Sequence, residues 1–387
     1  MKKILTFMLG ICLIIPCVVM LSACEQKPKM ETWDGSVAEV SEADLNGVIT
    51  IETAEELAGL AEEVNLGNTF EGVTIKLDCD MDMANRTWTP IGMGNRSSLG
   101  EANVFKGTFD GNNKKIVGLS NKGYVPAEEN KVLEGDFSET VYTYHYGLFG
   151  ITENATIKNL TVTVDFDCEE ESLKGDSVGA IVGFANKGLT IDNCVANGEV
   201  EGYDAIGGLV GRTYYSNQSE QVYIKDSTNN VKVTGLFKAA GILGYISSAN
   251  FYATIDGCVN NGTISVKGVV RSGASQISFV AGVLTYGWTT TNNTLIVINN
   301  VNNGTLNACE TLSQELPNVN AYASIGTSTY NQYNKDIHSY NFNANENNGT
   351  VYYLGEQVSD ALLIVLSQAY PEYESSWEAN NTTNIQN

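Results

Sequence analysis

The chain has 387 residues, 43% of them hydrophobic, with 22 Lys+Arg against 45 Asp+Glu and a formal net charge of −23. So acidic a body is repelled by phosphate backbones, which excludes nucleic acid as a partner. Eight cysteines fall to five once Cys12, Cys17 and Cys24 are set aside, and an odd number cannot complete a disulfide framework.

Residues 1–23 read as a secretory signal: Lys2 and Lys3, an apolar run over 4–21, then Leu21-Ser22-Ala23 before Cys24. This resembles a bacterial lipoprotein signal, whose cysteine becomes the lipid-modified, palmitate-bearing first residue. The alternative, an uncleaved membrane helix, is opposed by the small residues before Cys24 and the polar Glu25, Gln26 and Lys27 after it. No other stretch approaches the roughly 18 apolar residues that span a bilayer. Cleavage removes Lys2 and Lys3, so the mature charge is 20 − 45 = −25. The expectation is an extracytoplasmic body anchored to the cell membrane through Cys24, with polar residues 24–47 as tether.

The first predicted element is a helix. Thr53 and Glu56 form a Ser/Thr-x-x-Glu capping box, and Leu57, Leu60, Ala61 and Val64 follow at helical spacing. From 73 to 83 the period becomes two, with Val73, Ile75, Leu77, Cys79, Met81 and Met83 on one face, as in a strand. Lys76, Asp78, Asp80 and Asp82 take the other. Residues 105–109 and 115–119 flank a turn at Asp110-Gly-Asn-Asn113, and charged 121–141 reads as a surface excursion.

A repeat then takes over. Gly147-Leu-Phe-Gly150, Gly179-Ala-Ile-Val-Gly183, Gly207-Gly-Leu-Val-Gly211 and Ala240-Gly-Ile-Leu-Gly244 read as one small-residue strand, fading through Ala281-Gly-Val-Leu-Thr285 to Ala323-Ser-Ile-Gly326. Partner strands start at Ile157, Ile191, Ile224, Ile255 and Val297, in steps of 34, 33, 31 and 42 residues. A near-constant period with variable inserts predicts a solenoid. The third position of each partner strand reads Asn159, Asn193, Asp226, Gly257 and Asn299; the eighth reads Val164, Gly198, Val231, Gly262 and Gly304. Such residues suit tight corners with stacked amides. Cys194 and Cys258 share a repeat position with Ser227 between them, which puts them about 10 Å apart at a rung spacing of about 4.8 Å, too far to bridge. The array reaches about residue 355, with residues 359–369 as a closing helix and 371–387 as a polar tail.

Together Thr53-Ala-Glu-Glu-Leu57, the 77–82 segment, Trp88-Thr-Pro-Ile-Gly92, Phe105-Lys-Gly-Thr-Phe109-Asp-Gly111 and the Gly-Leu-Val-Gly repeats resemble the GLUG-repeat proteins of bacterial surfaces. The resemblance covers about residues 50–310. It implies an all-β solenoid, a right-handed parallel β-helix of the pectin-lyase-like kind, with helical caps at both ends and a β-helix domain over 48–370 (repeat array about 147–355). Similar repeats occur in adhesins and beside the protease unit of some IgA-cleaving metallopeptidases.

No catalytic motif emerges. The two histidines, His145 and His338, make no His-Glu-x-x-His, and there is neither an Asp-Asp pair nor a Gly-His-Gly. Arg212 is the one candidate for a lyase-type base. Asp78, Asp80 and Asp82 could offer hard oxygens to calcium, although the same alternation suits a solvated strand face or turn caps; no cofactor is expected. The inserts after each glycine-rich segment carry Tyr214, Tyr215, Tyr252, Tyr286, Trp288, Tyr330 and Tyr333 among neutral polar residues. Such rings suit a sugar or a protein partner, or cover the solenoid's flank; Tyr245 and Phe251 lean to packing. The expectation is therefore a cell-surface binding or adhesion module, not an enzyme, that recognises a glycan or surface protein. A structural spacer, or a divergent polysaccharide lyase or hydrolase, stands as the alternative.

Overall fold

The computed structural model describes residues 30–94, 103–124, 131–134, 139–168, 173–214, 216–247, 251–267, 278–286, 294–308, 319–322, 325–327, 339–341, 346–353 and 356–358. The signal, Cys24, the expected closing helix and the polar tail lie outside the described residues. The described chain is all-β but for one helix, Ala54–Asn65, with its strands gathered into three sheets. The helix starts as its sequence demands: Thr53 Oγ1 accepts the Glu56 N–H and Glu56 Oε2 accepts the Thr53 N–H, each at 3.2 Å.

From residue 139 the chain visits the three sheets in a fixed order. Leu173–Gly179 lies in a seven-stranded sheet, Val182–Ala185 in a six-stranded one, and Leu189–Asp192 with Val195–Gly202 in the largest. The next pass repeats this with Ala205–Gly207, Val210–Thr213, Val222–Lys225 and Thr228–Gly235. Successive passes pair in parallel and in register, Ile157 with Ile191, Ile191 with Ile224, Ile224 with Ile255 and Ile255 with Val297. These aliphatics are fully buried and stack in one continuous core. Each pass thus buries its apolar face against the previous one, at the predicted period.

The corners explain the recurrent polar residues. Asn159, Asn193, Asp226 and Asn299 all have positive φ, between 49° and 58°, and Gly257 completes the row at 65°. Asn193 donates to Asn159 Oδ1 (2.9 Å) and Asn159 to Asp110 Oδ1 (3.0 Å), so the amides stack as the strands do. Glycine at the eighth position answers a close approach: a Cβ on Gly262 would lie 1.9 Å from the Val231 carbonyl oxygen, and one on Gly304 equally close to that of Gly262. Cys194, Ser227 and Cys258 are buried at one position, with both thiols free.

Four expectations change. The glycine-rich segment is not one strand but the corner between two: Gly179 ends one strand and Val182 opens the next. A Cβ at Gly179 would sit 2.4 Å from the Val182 carbonyl oxygen, and one at Gly183 2.5 Å from the Tyr146 nitrogen, so in this pass the corner packs too closely for a side chain at either position. The 73–83 strand breaks into Thr74–Leu77 and Met81–Asp82, its alternation running on across a bend within the same sheet. The excursion before residue 141 contains an antiparallel pairing of Lys131–Glu134 with the start of Glu139–Tyr146. The fold also begins earlier than residue 48. Glu31–Thr32 pairs with Met81–Asp82, and Trp33 is buried edge-on to Trp88 at 6.1 Å, so residues 30–47 belong to the packed body.

Candidate functional site

Tyr214 follows the strand Val210–Thr213, its N–H bonded to the Ala185 carbonyl at 2.9 Å. Its ring is 44% exposed, with the inner face toward Phe184 at a centroid distance of 6.4 Å and 28°. Phe184 in turn stacks on His145 at 4.5 Å and 24°, and both are buried. The result is a three-ring column drawn from three successive passes, whose outer ring faces water. Ser216, two residues on, accepts the Tyr252 N–H at 2.7 Å, which ties the start of Tyr252–Asp256 to the Tyr214 segment. Tyr252 is half-buried.

Beside this column lies an ionic cluster in which Arg212 and Asp176 are buried and Asp204 and Lys238 half-buried. Phe184, Arg212 and Tyr245 occupy one register position on consecutive strands of the six-stranded sheet. Arg212 is bonded to Asp204 and lies 3.6 Å from Asp176; Lys238 reaches Asp204 at 2.5 Å. Lys238 Nζ sits 4.6 Å above the Tyr245 ring and the Arg212 guanidinium 5.5 Å from it. Burial works against ionising Asp204, but Lys238 and Arg212 outweigh it and hold the carboxyl well below its ordinary range. Burial likewise opposes the charge on Arg212, and Asp176 and Asp204 raise its pKa in spite of that. Two cations and two anions close the cluster, and Arg212 is 4% exposed. Its guanidinium is committed to carboxylates, not presented to solvent as a base.

The remaining candidates separate. Tyr286 ends the strand Leu284–Tyr286, paired with Ile246 and Thr327. Tyr215, Trp288, Tyr330 and Tyr333 lie outside the described residues. Tyr245 and Phe251 are buried, as their packing role requires. Asp78 and Asp80 sit at the bend and Asp82 in the strand Met81–Asp82, so the three do not share one strand. Asp80 Oδ1 accepts the Lys115 N–H (2.9 Å) and Asp82 Oδ1 the Ala84 N–H (2.8 Å), which makes both backbone caps. Among the described residues no group of three or more His, Cys, Asp or Glu is placed to share a metal ion.

Two features escaped the sequence reading. Tyr223 is 40% exposed on the large sheet, in register with Thr190 and Thr254. Asp110, Lys158, Asp192, Lys225 and Asp256 form a ladder of alternating sign, with Lys225 3.0 Å from Asp192. Reading the second position of each aligned repeat would have found that ladder, and the first position after each glycine-rich corner would have found Phe184, Arg212 and Tyr245.

Parallel sheets, one cap helix and an aromatic column on the flank define the class: an all-β protein of stacked parallel strands. No family model and no curated protein matches the chain. Among solved structures it is similar to one described as "a putative immunoglobulin A1 protease from Bacteroides ovatus", with a TM-score of 0.54, 17% identity, and 82% of this chain and 80% of that chain covered. At that identity the likeness concerns the fold alone.

Proposed function

We propose that the chain is a lipid-anchored surface protein, a GLUG-like closed right-handed parallel β-helix that binds a glycan or surface ligand along the Tyr214 ridge. Passes of 31 to 42 residues between parallel neighbours in one sheet support the hand, because such crossovers are right-handed in about 98% of cases. The observation that carries the binding reading is the Tyr214 ring, held open to water on a buried Phe184–His145 support. A ring fixed in this way offers a flat apolar face at low entropic cost, which suits a pyranose face. The protease in the structural neighbour's description lends no support to a metallopeptidase reading of this chain, which has no His-Glu-x-x-His.

The test is a broad glycan array probed with the mature protein and its Tyr214→Ala variant. Binding that the variant loses, with the melting temperature unchanged, supports the ridge. Binding that survives moves the site elsewhere. Absence of binding overturns the glycan reading and leaves a protein ligand or a spacer role.

A further inference from the structure

We propose that the N-terminal end of the solenoid is a membrane-facing surface, and that residues 30–66 seat against the bilayer in which Cys24 is anchored. This rests on the lipid-anchor reading above and adds an orientation and a contact surface to it. The large exposed hydrophobics among the described residues are Met30, Val37, Leu45, Leu66, Tyr214 and Tyr223. The two tyrosines stand on the flanks. The four aliphatics all fall in the terminal layer, where Leu45 is fully exposed and Leu66 is 78% exposed.

The topology defines that layer. Glu31–Thr32 and Val48–Ile51 are edge strands, each paired only inward, with Met81–Asp82 and Thr74–Leu77. Met30 adjoins the first, and Leu45 lies in the Asp44–Gly47 turn that leads into the second. The helix covers the same end, and Leu66 is its C-cap. Val37 precedes the segment laid over the helix, where Ala38 donates its N–H to the Glu55 carbonyl. Exposed aliphatics gathered at one end point to a contact surface.

The occupant follows from chain length and charge. Glu31 is fixed by strand pairing seven residues after Cys24, and seven residues span at most about 25 Å whatever their conformation. The cap therefore stays within that distance of the lipid. Residues 30–66 contain no Lys or Arg, while Asp34, Glu39, Glu42, Asp44, Glu52, Glu62 and Glu63 are exposed. The seat is consequently shallow, with aliphatic tips at the interface and carboxylates in water, and it favours zwitterionic over anionic lipid.

The experiment uses the full acylated protein in phosphatidylcholine vesicles that carry a nitroxide lipid. A fluorophore is placed through Leu45→Cys, Leu66→Cys or Tyr223→Cys, in a Cys79→Ser/Cys309→Ser background. Flotation and the mass of the Cys24 peptide report the anchor independently. The expected result is strong quenching at positions 45 and 66, little at 223, and less at 45 after Leu66→Glu or when phosphatidylglycerol is added. An acylated, floating protein whose three labels are equally bright, or equally quenched, overturns the seat and leaves the anchor standing. An unmodified Cys24 overturns both.

Discussion

Asn260 donates from Nδ2 to Oδ1 of Asn302 across 2.6 Å, and both side chains are buried. The same bond runs from Asn229 to Asn260 at 2.8 Å and from Asn302 to Asn347 at 2.8 Å, so one amide column threads four passes. Asn260 also accepts the Gly262 N–H at 3.2 Å, which secures the close-packed corner. A second column, Asn197, Asn230, Asn261, Asn303 and Asn348, runs beside it in solvent.

The two columns differ in energetic weight. Asn260→Ala strands a buried donor on Asn229 and a buried acceptor on Asn302. At about 1–3 kcal/mol for each unsatisfied group, the expected loss is several kcal/mol. Asn261→Ala exposes its partners to water and costs about 0.5 kcal/mol or less. Denaturant midpoints for the two variants check this, and equal losses would refute the distinction.

Gly59 sits mid-helix, where alanine is ordinarily better by about 1 kcal/mol. Here a Cβ would lie 1.9 Å from the Ala38 carbonyl oxygen, in the segment that crosses the helix. Gly59→Ala therefore destabilises, and it does so locally. Faster amide exchange over residues 33–40, with exchange in the sheet unchanged beyond residue 155, is the expected readout.

Asp204 gives the molecule an acid limb. Its folded-state pKa lies below the unfolded value of about 3.9, so its contribution is complete above that value and is lost as pH falls through the folded pKa. Asp204→Asn leaves Arg212 and Lys238 short of a counter-charge, at an expected cost of about 3–5 kcal/mol near neutrality. The variant's stability should then vary less between neutral and strongly acidic pH than that of the wild type, as urea titrations across that range would show.

Much of the array was legible because its constraints are local. Asn159, Asn193, Asp226 and Asn299 mark corners since positive φ tolerates few side chains, and the period of the buried isoleucines fixes the stacking. The glycine-rich corners misled because Gly179 and Val182 are continuous in hydropathy although the backbone turns sharply between them. Residues 30–47 looked like tether because they are acidic and their apolar residues follow no clear period, and the burial of Trp33 depends on Trp88, far along the chain. The Tyr214–Phe184–His145 column was half legible: the exposed ring was a candidate, but its supports lie one and two passes earlier in the chain.

Pairing of Glu31–Thr32 with Met81–Asp82 and burial of Trp33 have a mechanical consequence. Force arriving at the N-terminus first meets a two-residue strand and one indole, not the long, mutually bonded rows behind them. So short a strand would yield to such a pull before the longer rows of the stacked body did.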